Sequence, residues 1–113
     1  MVEEISPAAL KDRLDRGEDV QVVDIRPEAA FAAGHIPGAE NVPFHAFARL
    51  VADREWRDDI VVACPMGESS LQAARLLEAY EGVAPDATVS NLTGGYAAWD
   101  FELEAGAPVR ADD

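Results

Sequence analysis

One cysteine, one lysine and no long hydrophobic run set the outer limits on this 113-residue chain. A single thiol, Cys64, forbids an internal disulfide, so nothing in the sequence calls for an oxidising compartment. Lys11 is the only lysine, and the basic residues, nine in all, face 22 acids for a net charge of −13. No basic patch exists to neutralise phosphates, which argues against direct nucleic-acid binding. No apolar run approaches the length of a membrane span. The segment Met1 to Pro7 is short and acidic, unlike a secretory leader. A cytoplasmic protein without membrane contact is therefore expected. Two histidines, His35 and His45, and one cysteine at these spacings do not make a metal site, and no cofactor is expected.

What the chain does contain is enough for one core. Apolar residues make up 49% of the sequence, and this length suits a single domain over residues 1–113. Nothing in the pattern demands a partner subunit, so a monomer is expected. The acids are spread along the chain rather than gathered in a tail. With so little lysine, that pattern fits a surface adapted to high salt, where self-repulsion is screened; an ordinary acidic surface is the alternative. The high-salt reading expects thermal stability to rise in molar salt, and a flat response counts against it.

Strands and helices alternate. Ser6 reads as an N-cap with Pro7 at the first helical position; Ala9, Leu10 and Leu14 form the candidate inner face, and Gly17 stops the helix. Val20–Ile25 reads as a mostly buried strand, left at Arg26-Pro27. A brief helix over Pro27–Ala33 closes at Gly34, and the turn His35–Ala39 follows. Asn41–Pro43 reads as a short edge strand. A second helix is expected over Phe44–Ala52, with Phe44, Phe47, Leu50 and Val51 at helical spacing. Ile60–Ala63 is a strand, Ser70–Tyr80 a helix ending at Gly82, and Thr88–Leu92 another strand. Thr93–Gly95 is a tight loop. A terminal helix carrying Trp99 is expected over Tyr96–Leu103, ended by Gly106 and Pro108. This alternation implies an α/β fold with a parallel sheet covered on both faces.

Ligands in such sheets bind beyond the carboxyl ends of strands. Asp24-Ile25-Arg26, Cys64 and Gly94-Gly95 all fall at such ends. A lone cysteine is more often a small buried hydrophobe, but Cys64 ends an apolar strand and precedes Pro65, Met66, Gly67, Glu68, Ser69 and Ser70. A thiol facing loop N–H groups and a helix start has its thiolate favoured.

Four segments in order resemble the rhodanese family: Val23-Asp24-Ile25-Arg26, Phe31 to Ala39 with Gly-His-Ile-Pro-Gly-Ala, Val61 to Ser70 with the cysteine, and Leu92 to Trp99 with its paired glycines. The resemblance spans about residues 4–109. It implies a rhodanese-like fold, with about five parallel strands and helices on both faces. It also implies a sulfurtransferase cycle. Cys64 would attack the outer sulfur of a donor such as thiosulfate, hold it as a persulfide, and pass it to cyanide or a thiol. The resemblance makes Cys64 the nucleophile. Backbone donors from Pro65, Met66, Gly67, Glu68, Ser69 and Ser70 would form an anion nest around the substrate sulfur.

Phosphatases similar in fold carry a loop one residue longer with an arginine to grip phosphate. This loop is short and has no arginine, so a phosphoryl transition state would lack its stabiliser. Many rhodanese loops have arginine at the position of Ser69, while some active single-domain members have serine. Glu68, if turned inward, would oppose an anionic donor and raise the thiol pKa; turned outward it is one more surface acid. Pro65 and Met66 leave the loop mouth apolar, which suits a persulfide or protein donor. Asp24 and Arg26 are supporting residues. Asp24 is expected to accept hydrogen bonds from a nearby loop. Arg26 either leans toward the active edge or anchors structure, and the nearby acids favour the anchor. His35 is expected to satisfy turn backbone groups, and Trp99 and Tyr96 to pack the last helix on the sheet.

Three functions fit: a single-domain sulfurtransferase, a partner-binding rhodanese-like module with little turnover, and a dedicated carrier taking a persulfide from a cysteine desulfurase to a ubiquitin-like sulfur carrier or a thiolation enzyme. Retention of Cys64 speaks against the pure binding module. The absence of a loop cation favours the carrier.

Overall fold

The apolar run that ends at Cys64 lies at the centre of a five-stranded parallel sheet. The computed structural model describes residues 2–107. Its strands are β1 (Glu3–Ile5), β2 (Gln21–Asp24), β3 (Glu40–Asn41), β4 (Asp59–Ala63) and β5 (Thr88–Leu92), in the spatial order β1-β5-β4-β2-β3. All four pairings are parallel. The helices are α1 (Pro7–Asp15), α2 (Glu28–Ala33), α3 (Phe47–Leu50) and α4 (Ser69–Ala79).

Side chains of β4 alternate between two cores, as a strand buried on both faces must. Ile60, Val62 and Cys64 pack with Phe47 and Val51 and with Ala73, Ala74 and Leu77 of α4. Val61 and Ala63 pack with Leu10 of α1, Leu92 and Trp99 on the opposite face. The helix-start reading of α1 is borne out: Ser6 Oγ accepts from the Ala9 N–H at 3.1 Å, with Pro7 at the first position. Of its expected inner face, Leu10 is buried, Leu14 half-buried and Ala9 exposed.

Two expected helices are corrected. The stretch Phe44–Ala52 is not one helix. A 3-10 turn (Phe44–Ala46), the single α-turn of α3 and a second 3-10 turn (Val51–Asp53) follow each other. No side chain caps any of them, so short-range backbone bonds take up the free N–H groups. Phe47 and Val51 still reach the core, while Phe44 remains 38% exposed. The terminal helix is shorter still, a 3-10 turn over Gly95–Ala98 after which Trp99 is extended. The chain turns back there: the Glu104 N–H donates to His35 O and the His35 N–H to Glu104 O, both at 2.9 Å. Pro108, expected to end that helix, lies outside the described residues. The strand β1 was not expected from the acidic residues that form it. No helix among the described residues is long and apolar enough to cross a membrane.

Candidate active site

Cys64 leaves β4 at its carboxyl end and is 1% exposed. The Gly67 N–H donates to its Sγ at 3.0 Å, and the thiol donates to Ser70 Oγ at 3.1 Å. Burial is the largest single influence on the thiol and pushes its pKa up. The Ser70 hydroxyl and the N–H groups of Ser70, Met66 and Gly67 oppose burial and together outweigh it, leaving the pKa below its ordinary value. The charged form is thus held by hydrogen bonds from one short loop and the first turn of α4.

The loop adopts this shape because its carbonyls are satisfied elsewhere. The 3-10 turn after β5 lies beneath it. The Tyr96 N–H donates to Cys64 O and the Ala97 N–H to Pro65 O, both at 2.9 Å. With those carbonyls turned away, the following N–H groups point at sulfur. Gly67, at φ +86°, makes the reversal. A side chain there would also crowd Gly94 N at 3.0 Å.

Pro65 requires a correction. Proline carries no N–H, so it belongs to the loop but not to the donor set, and its contribution is the carbonyl held by Ala97. Pro65, Met66, Glu68 and Ser69 are exposed at the rim, Gly67 is half-buried, and Ser70 is buried. The Glu68 side chain is on the outside of the loop surface rather than in the core.

Asp24 and Arg26 form a separate structural knot beside the site. The Arg26 Nη2 donates to Asp24 Oδ2 at 2.8 Å and to Gly34 O at 2.7 Å. Its guanidinium carbon lies 3.5 Å from the Tyr96 ring centroid, a stacking that suits arginine. The Tyr96 hydroxyl donates to Asp24 Oδ2 at 2.8 Å and accepts from the Ile36 N–H at 3.1 Å. Burial first, then the Asp24 charge, hold the Tyr96 phenol well above its ordinary pKa, so it remains a donor. The knot ties the Gly34–Ile36 turn to the chain that supports Cys64. Tyr96 was expected simply as core, and it is a hinge pin of this knot. His35 is structural as expected: Nδ1 donates to Phe31 O at 2.8 Å, and the two rings stack at 3.7 Å.

Sequence reasoning missed Asn91, which is 4% exposed and stands on the Cys64 face of the sheet. The signal was available. Asn91 is a polar residue in a strand covered on both faces, with the same parity as Val89, which packs in the Cys64 core. Buried polar groups need partners.

A parallel α/β sheet with a thiol cupped by backbone N–H groups at its carboxyl edge defines the class as a loop-cysteine α/β domain. Comparison with known proteins narrows this. A family model described as rhodanese-like domain matches residues 6–102, and the chain belongs to the rhodanese-like sulfurtransferase family. A sulfurtransferase of Allochromatium vinosum is 39% identical over 100 residues, covering 88% of this chain and 89% of that protein. Thiosulfate sulfurtransferase GlpE of Pseudoalteromonas translucida is 35% identical over 98 residues, covering 85% and 87%. The solution structure of the rhodanese-like domain of the Anabaena protein Alr3790 superposes with a TM-score of 0.76 at 31% identity, covering all of this chain and 89% of that one.

Proposed function

We propose that the protein is a single-domain sulfurtransferase that carries sulfane sulfur on Cys64. The Cys64 thiolate attacks the outer sulfur of thiosulfate or of a persulfide donor. A new S–S bond forms, the donor's S–S bond breaks, and the leaving group, sulfite or a thiolate, departs with the electron pair. The terminal sulfur of the Cys64 persulfide is then attacked by cyanide or a cellular thiol, which releases the Cys64 thiolate. The N–H groups of Met66, Gly67, Glu68, Ser69 and Ser70 are assigned to bind the transferred sulfur, with no metal or cofactor taking part.

The observation that carries this reading is the cupped thiol: Sγ accepts from Gly67 N–H at 3.0 Å and its pKa is held down despite burial. The names of the relatives from Allochromatium and Pseudoalteromonas support it. The test is intact mass after incubation with thiosulfate, where one added sulfur atom is expected. Mass gain from a persulfide donor but not from thiosulfate selects the carrier reading. That reading draws support from a loop with no cationic side chain and an exposed apolar rim at Pro65 and Met66. No gain from any donor leaves only a binding module.

Charge at the rim gives a finer prediction. Glu68→Lys replaces a negative charge by a positive one beside the path of an anionic donor. At low ionic strength KM for thiosulfate is expected to fall roughly threefold, an effect that screening removes in molar salt. Steady-state assays at two salt concentrations read it. An unchanged KM at low salt means the Glu68 charge is not felt by the donor.

A further inference from the structure

The hydroxyl that meets the Cys64 sulfur is itself gripped from behind. Ser70 is fully buried, and its Oγ donates to Asn91 Oδ1 while receiving the Cys64 thiol. Asn91 lies on β5 in register with Val62 of β4. Its amide is pinned, with Nδ2 donating to Gly67 O at 3.1 Å and to Glu4 Oε1 and Oε2, each at 3.2 Å. Glu4, on the edge strand β1, also accepts from Thr93 Oγ1 at 3.0 Å. A continuous chain of side chains therefore runs from an exposed carboxylate through Asn91 and Ser70 to the buried sulfur.

A hydroxyl has one proton to give. With Cys64 protonated, the direction is fixed: sulfur donates to Ser70 and Ser70 donates to Asn91. Once the thiol has lost its proton to water, sulfur can only accept, and the Ser70 proton is the side-chain donor nearest to it. Donation to sulfur strips Asn91 Oδ1 of its partner. The amide cannot turn over to compensate, because Glu4 and Gly67 O both require its Nδ2 side. An acceptor left bare in a buried place carries a cost.

We infer that Asn91 is a positioning residue for the sulfur chemistry, with its Oδ1 competing against the Cys64 sulfur for the single Ser70 hydroxyl proton. The inference rests on Cys64 being the nucleophile of the proposed function. It also gives Ser70 a cycle. The hydroxyl turns to sulfur in the thiolate. It returns to Asn91 in the persulfide, where the negative charge has moved to the terminal sulfur, and so it favours sulfur most when sulfur must attack.

Few other charges bear on this pair. Asp24 and Arg26 at the end of β2 are paired with each other. Glu68 of the loop and Arg75 and Glu78 of α4 are exposed, and Tyr96 is engaged with Asp24. Among the described residues, Glu4 is the acid that reaches the chain, and it does so through Asn91.

The test is the pH dependence of Cys64 alkylation by iodoacetamide in donor-free protein, with circular dichroism confirming the fold. Asn91→Val keeps a strand-forming residue and removes the competing acceptor. Its ionisation midpoint is expected to fall by roughly 0.7 pH unit, about one hydrogen bond's worth. Asn91→Asp offers a stronger, charged acceptor, and its midpoint is expected to rise. In a Ser70→Ala background the Asn91→Val shift should vanish, because the hydroxyl being contested is gone. Asn91→Ala serves as the second acceptor-free variant if Asn91→Val does not fold. The inference is overturned if Asn91→Val and Asn91→Asp move the midpoint the same way or not at all, or if the shift persists without the Ser70 hydroxyl. These readouts need no sulfur donor, so a failure of the mass test above is told apart from a failure here.

Discussion

Cys64→Ser is expected to abolish sulfur loading completely while leaving the fold in place. After incubation with thiosulfate or a persulfide donor, the unaltered protein gains one sulfur atom and the variant gains none. Turnover in the thiosulfate–cyanide assay is expected to drop by roughly a thousandfold or more, as when the covalent nucleophile of an enzyme is removed. The substitution is mild structurally. Serine is slightly smaller, and its hydroxyl meets groups already placed for a polar atom, the Gly67 N–H and the Ser70 hydroxyl. A thermal midpoint close to that of the parent should therefore accompany the loss of loading. Sulfur found on the variant would show that something other than Cys64 receives it.

Gly95→Ala is expected to be as damaging to activity, by an entirely different route, and also to weaken the fold. Gly95 sits at φ +59°, a region L side chains enter reluctantly. Sterics are worse than the dihedral. A Cβ at this position would lie 2.1 Å from Cys64 O and 2.8 Å from both Gly67 N and Pro65 C. All three are backbone atoms of the loop, so no side chain can swing aside. Relief requires the loop and the turn beneath it to part, which breaks the bonds from Tyr96 and Ala97 to the Cys64 and Pro65 carbonyls. Overpacking and a forced left-handed residue together cost about 3 kcal/mol, which in a domain of this size lowers the thermal midpoint by on the order of 10 °C. With the carbonyls released, the N–H groups lose their aim at sulfur. Alkylation should then report a thiol pKa shifted back upward, the sign expected when burial remains and its opposing hydrogen bonds are lost. A variant that melts lower but keeps the depressed thiol pKa would show that the turn supports stability and not the cup.

The paired glycines show how far the sequence could be read. Their presence marked a tight loop, and the family resemblance placed them near Cys64. Only the three-dimensional contact explains why neither a small side chain nor a different turn would serve. Strands β2, β4 and β5 and helices α1 and α4 could be read from periodicity and punctuation, because each is decided by local pattern: apolar runs, Ser6-Pro7 at a helix start, glycines at the ends. The Phe44–Asp53 segment could not. Its apolar spacing is helical, yet it lacks capping side chains, and only three of its residues (Phe47, Leu50 and Val51) pack against the core. The terminal turn failed for a related reason. Trp99 suggested an amphipathic helix, whereas its indole N–H donates to Glu102 O at 3.1 Å in a chain already turning back toward His35. Strand β1 was hidden because Glu3 and Glu4 are poor strand formers, recruited by pairing with β5 rather than by their own preference. At the site, Cys64 and its loop were evident from order along the chain. Asn91, Glu4 and the Tyr96 knot were not, since each acts across a sequence separation that pattern alone does not measure.

The pairing of β1 with β5 bears on the order in which the domain assembles. The first strand in sequence pairs with the last, Glu3 opposite Ser90 and Ile5 opposite Leu92. Contacts closing so long a loop form slowly, and a chain leaving the ribosome cannot make them until β5 has emerged. The same late segment carries Asn91, Gly95, Tyr96 and Ala97. A nascent chain that has exposed Cys64 but not yet β5 therefore displays a thiol without its cup, no more reactive than free cysteine. On the proposed reading of Cys64 as nucleophile, the sulfur therefore gains its activating hydrogen bonds only after β5 and the turn that follows it have been made, and shorter nascent chains do not present an activated thiol to oxidants or stray sulfur donors.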